Sequence, residues 1–80
     1  MVHKLKTLPK YFFLVWTGEK PFEVRKDDRN YRIGDELLLQ EFYNGEYTGN
    51  ECKRKITYIL GRNEDEKMFI ADGYVILGIK

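Results

Sequence analysis

The chain holds one cysteine, Cys52, and one histidine, His3, among its 80 residues. A lone cysteine excludes an internal disulfide, and Cys52 with His3 makes no tetrahedral ligand set, so neither a metal nor a cofactor is expected. Cys52 reads as a small buried strand residue. Proline occurs only as Pro9 and Pro21. No apolar run approaches the roughly 18 residues of a membrane span. The basic start leads at once into Thr7, Leu8, Pro9 and Lys10 rather than into a secretory apolar segment, so the expectation is a cytoplasmic protein with no membrane contact. A phosphate-binding GxxxxGK[ST] loop, a nucleophile elbow, internal repeats and a linker are all missing. This length allows a single domain over residues 1–80 with a small core.

Aromatic and charged residues are what the chain has in quantity. The 15% aromatic and 42% hydrophobic content suffices for a core, and a net charge of +1 rules out an indiscriminate polyanion trap. The distribution of charge is more telling. Lys4, Lys6, Lys10, Lys20, Arg25, Lys26, Arg29 and Arg32 oppose only Glu19, Glu23, Asp27 and Asp28 in the first 32 residues. Acids gather later, at Glu64, Asp65 and Glu66, where a solvated loop is expected rather than a metal site.

Periodicity places the elements. Residues 2–7 alternate, with His3, Leu5 and Thr7 on one side of a short strand, and His3 is expected to be a packed, hydrogen-bonded residue. Leu8, Phe12, Val15 and Trp16 recur at helical spacing, with Phe13 beside them, Thr7 as N-cap, Pro9 in the first turn and Gly18 as the stop. These aromatics are expected to glue the helix to a sheet. Phe22 and Val24 alternate with Glu23 and Arg25, which predicts a strand whose charged side faces solvent. Further strands are expected over 36–43, 51–60 and 74–79. Residues 44–50 would form a hairpin loop, and a short helical turn would fall around Met68 within the loop 61–72. About five strands and one early helix predict a mainly β, α+β fold, closed into a barrel because closure removes exposed edges.

Gly18, Lys20, Glu23 and Arg25 spell G-x-K-x-x-E-x-R. With His3-Lys4-Leu5-Lys6 before it, Arg25-Lys26-Asp27-Asp28-Arg29 at its end, Ile33-Gly34-Asp35-Glu36-Leu37 after it and a late Gly73-Tyr74-Val75-Ile76-Leu77, the pattern resembles the activating signal cointegrator homology (ASCH) domain. In particular it resembles a small bacterial and phage family of uncharacterised relatives within the pseudouridine synthase and archaeosine transglycosylase (PUA)-like superfamily. The resemblance covers nearly the whole chain. It implies a PUA-like barrel that handles RNA, nucleotides or modified nucleosides, with Lys20 brought into one cleft with Glu23 and Arg25.

Each motif residue has a functional and a structural reading. Lys20 is a phosphate contact, a base or nucleophile, or a surface cation paired with Glu23. Glu23 orients Lys20 and reads a base edge, or simply pairs with Arg25. Arg25 binds phosphate or bridges to Asp27, Asp28 or Asp35. Lys26, Arg29 and Arg32 extend an anionic site or are solvated. The expected function is binding of RNA or a nucleotide-like ligand beside the motif, through Lys20, Glu23, Arg25, Lys26 and Arg29.

Two alternatives stand beside it. Some ASCH relatives are amidohydrolases acting on a modified cytidine through the motif lysine, a threonine where Glu23 stands here and a later glutamate that has no clear counterpart, since Glu64 and Glu66 lie in the 61–72 loop without a matching motif; others are associated with RNA cleavage, for which Lys20, Glu23 and Arg25 offer suitable groups. The second alternative is an accessory module that binds a protein partner, with the motif serving the fold. No pattern in the chain sets its oligomeric state.

Overall fold

The computed structural model describes residues 1–80. In chain order it has β1 (Val2–Thr7), α1 (Pro9–Thr17), β2 (Phe22–Lys26), β3 (Glu36–Tyr43), β4 (Glu46–Leu60), a 3-10 turn (Glu66–Met68) and β5 (Tyr74–Ile79). The strands form one mixed sheet in the order β1-β3-β4-β5-β2, with only β1 and β3 parallel. The α+β, mainly β class is as expected. The closed barrel is not, because β1 and β2 are edges with no backbone ladder between them. Instead the Arg25 side chain crosses from β2 to the end of β1, donating from Nη1 to the Lys6 carbonyl at 3.2 Å. A guanidinium occupies the place where a closing ladder would need paired backbone groups.

The core lies between α1 and one side of the sheet, where the helix meets β3 and β4. Leu37, Leu39, Ile56, Val75, Leu77, Val15 and Tyr31 are its fully buried side chains, and Cys52 joins them. His3 is buried on β1, its Nε2 2.8 Å from Asp35 Oδ2 and its ring edge against Tyr31, so it serves packing as expected. Only Phe12 and Val15 of α1 are buried. Leu8, Phe13 and Trp16 are 58%, 61% and 59% exposed, so the expected aromatic glue reduces to one ring. Leu8 precedes the helix, and so short a helix presses only the stripe of Phe12 and Val15 against β3 and β4, leaving Phe13 and Trp16 outside the contact.

Other expectations shift in detail. Leu8, not Thr7, is the N-cap of α1, and it makes no side-chain cap bond, because Thr7 completes the β1 ladder. Gly18 ends the helix in the left-handed conformation at φ 86°, and its N–H donates to the Val15 carbonyl. Arg54 Nη2 reaches from β4 to the Val15 and Trp16 carbonyls, satisfying the helix end with a cation.

The β3–β4 hairpin turns on Asn44 and Gly45 alone, so β4 begins well before residue 51. Residues 48–50 are a bulge within β4, held by the Glu41 carboxylate accepting from Thr48 Oγ1 at 2.7 Å and Asn50 Nδ2 at 3.0 Å. A second irregularity between Ile56 and Tyr58 switches parity, so that Ile59 rather than Tyr58 packs on the core.

Candidate functional site

Lys20, Glu23 and Arg25 converge, by a route the strand pattern disguises. Glu23 is 2% exposed while Phe22 and Val24 are 42% and 54% exposed, so the charged side of β2 faces inward and the apolar side outward, the reverse of the expectation. Lys20 precedes β2 and is free of its alternation. After the Gly18 reversal its N–H donates to the Leu14 carbonyl at 3.0 Å, which folds the segment back along α1 and swings the ammonium inward.

The resulting network is dense. Lys20 Nζ donates to Glu23 Oε2 and, at 2.8 Å, to the Phe22 carbonyl. Arg25 Nε and Nη2 donate to Glu23 Oε1 at 3.2 and 2.8 Å, and Nη2 also donates to Thr7 Oγ1 at 3.1 Å. Arg25 thus bridges to none of Asp27, Asp28 or Asp35. Asp27 pairs with Arg62, and Asp35 with His3 and the chain's amino group.

An ammonium has three donor hydrogens and a guanidinium five. Two are spent on Lys20 and four on Arg25, which leaves each cation one hydrogen uncommitted. Two cations against one carboxylate leave the trio with a net positive charge.

These groups line a cleft of about 390 Å³ whose remaining walls are Lys6, Thr7, Leu8, Tyr11 and Val24. Sequence reasoning missed Lys6, Thr7 and Tyr11 as site residues. For Thr7 the signal existed: a polar residue sharing the buried side of β1 with His3 and Leu5 needs a partner, and Arg25 is that partner. Lys26 and Arg29 do not reach this cleft. They line an adjoining concavity of about 480 Å³ that shares Lys6 and Arg25 as its wall. Arg32 lines neither cleft. No group of three or more His, Cys, Asp or Glu side chains is arranged to hold a metal ion.

Glu64 and Glu66 also lie away from the cleft. Glu66 departs from the expected solvated loop: it is buried, accepting from the Gly61 N–H at 2.6 Å and Asn63 Nδ2 at 3.0 Å. The Gly61 N–H, acting against desolvation, holds its pKa below the ordinary carboxylate value. A carboxyl with a depressed folded-state pKa stabilises the fold above its unfolded pKa, about 4.3, and that contribution vanishes as pH falls through the folded value. Melting temperature should therefore drop on acidification below about pH 5, and less steeply in Glu66→Gln. Parallel profiles for the two proteins between pH 5 and 3 would show that Glu66 is not the responsible group.

The family model described as a domain of unknown function (DUF3850) matches residues 2–79, and the chain belongs to that family. It is also similar to the uncharacterized 12.9 kDa protein in the GpA 3′ region of Escherichia phage P2, at 46% identity over 56 residues, 70% of this chain and 51% of the relative. The chain thus spans about half the length of the curated relative it matches. No helix is long and apolar enough to cross a membrane.

Proposed function

We propose that this chain is an ASCH-type, PUA-like domain that binds a phosphate-bearing nucleotide unit of RNA in the cleft beside Lys20, Glu23 and Arg25. The observation that carries the reading is the arithmetic of the trio. It is positive overall, and it keeps one ammonium and one guanidinium hydrogen free at the wall of a cleft. Charge-assisted donors of this kind suit a phosphate oxygen. Tyr11, 42% exposed and with its ring centroid 5.6 Å from Lys20 Nζ, offers a face on which a base can stack. The curled sheet with its edges bridged by Arg25 suits a PUA-like barrel left open at the ligand side.

Binding is favoured over hydrolysis for a geometric reason. Both oxygens of Glu23 already hold cations, so proton abstraction would first have to break an ion pair. The later glutamate of the amidohydrolase pattern has no counterpart at the cleft.

Titration of labelled nucleoside monophosphates and short RNAs tests the proposal. Lys20→Met should weaken both by roughly tenfold, the loss of one hydrogen bond to a charged group. Absence of binding to any RNA or mononucleotide at low salt would eliminate the reading.

A further inference from the structure

The adjoining concavity gathers a cluster of cations that the chain does not neutralise. Lys4 and Lys6 enter it from β1, Lys26 from the end of β2, and Arg29 from the loop beyond. Not one of these four takes part in an ion pair of the chain, whereas Lys20, Arg25, Arg62 and Lys67 all do. Asp28 is the single acid in the lining. Like charges gathered in a concave wall repel one another and concentrate a positive potential there. That arrangement is unfavourable in the free protein and is relieved by an anion.

Two further details indicate a chain rather than a single ion. Arg25 and Lys6 belong to both clefts, so the positive surface continues without a break from the Lys20 site. Tyr47, 54% exposed on the β3–β4 arm, completes the far wall. Lys6 Nζ stands 4.6 Å from the Phe42 ring centroid and 5.9 Å from that of Tyr47, so the arm's aromatics sit beside a cation. Cations along a groove with an exposed aromatic ring in its wall suit a single-stranded phosphodiester chain.

We infer that this second cleft holds the flanking phosphates of a single nucleic-acid strand whose neighbouring unit occupies the cleft beside Lys20. The inference rests on the proposed function for that unit. It adds where the neighbouring units of that strand run, with Lys4, Lys6, Lys26 and Arg29 as its backbone contacts and Arg25 at the junction.

The test compares a nucleoside monophosphate with a tetranucleotide, in RNA and DNA forms, across a salt series, using the Lys26→Ala/Arg29→Ala double variant and confirming its fold by thermal melting. Monophosphate affinity should be unchanged. Tetranucleotide affinity should fall at least tenfold, and its slope of log affinity against log salt should flatten by about 0.7 for each cation removed. Equal effects on the RNA and DNA forms, or effects on RNA alone, both support a backbone track, the second adding a 2′-hydroxyl contact. Unchanged tetranucleotide affinity and slope would overturn the inference. So would equal binding of a polyglutamate of matching charge, which would make the cleft a site for acidic peptides. If Lys20→Met leaves tetranucleotide binding intact while the double variant still weakens it, the second cleft stands and the reading of the Lys20 site fails.

Discussion

Glu23→Gln is expected to destabilise the domain by about 3 kcal/mol, the low end of what removing one partner of a buried ion pair costs. In a chain of 80 residues this should lower the melting temperature by more than about 10 °C. The carboxylate is 2% exposed and holds Lys20 and Arg25 at once, so the neutral amide leaves two inward-facing cations without a counter-charge. The low end applies because the side chains of Lys20 and Arg25 keep 16% and 24% of their surface in water, which lets them relax outward. Lys20→Met should be milder, about 1 kcal/mol, since Arg25 remains on the carboxylate. Combining Glu23→Leu with Lys20→Met should recover part of the loss, because one unpaired cation leaves with its partner. Glu23→Gln melting within about 2 °C of the parent would show that the carboxylate is dispensable to the fold. The two residues thus divide the work. Glu23 is a scaffold that aims the cations, and under the proposed function Lys20→Met should weaken ligand binding more than it weakens the fold.

That division was hidden by the polarity of β2. Alternation of Phe22 and Val24 with Glu23 and Arg25 correctly put the two charges on one side of a strand, but the usual rule sends charge to solvent. Here the inward side is charged because Thr7 and the Lys6 carbonyl, both from β1, wait for Arg25, while Lys20 folds back from just before the strand onto Glu23. The local sequence shows Lys20 near Glu23 but carries no record of the β1 partners. The same limit explains the barrel. Strand number, the early helix and the buried side of β1 were legible from period and turn residues, since these are local properties. Whether two edges zip together or are spanned by a guanidinium depends on one long side chain 18 residues from its acceptor on Thr7. The parity switch after Ile56 was illegible for a related reason, because a bulge is defined by the partner strand and not by its own residues. Trp16, Phe13 and Leu8 show the converse error, in which helical spacing promised burial but the sheet covers only the stripe of Phe12 and Val15.

Gly61→Ala should be as damaging as the loss of Glu23, at a position remote from the cleft. Gly61 sits at φ 124°, a conformation that costs an L-residue roughly 1 to 3 kcal/mol. A Cβ there would also stand 2.7 Å from the Tyr74 carbonyl oxygen and 3.3 Å from the Val75 Cα. Those atoms cannot retreat cheaply. Tyr74 and Val75 open β5, paired to Lys26 and Arg25 of β2, and Val75 is fully buried. Moving Gly61 instead would pull its N–H from the Glu66 carboxylate and leave a buried charge short of its strongest donor. The combined loss should exceed about 3 kcal/mol, with a melting temperature lowered by more than about 10 °C. Gly45→Ala is the matched control. It also has positive φ, but nothing lies within 4 Å of its added Cβ, so only the backbone cost of about 1 to 2 kcal/mol applies. Equal melting temperatures for the two variants would mean that the close approach to β5 is not what demands glycine at 61. Because Lys26 and Arg25 pair with the strand that Gly61 buttresses, Gly61→Ala should also weaken the proposed oligonucleotide binding, through displacement of β2 and without removing any proposed contact group.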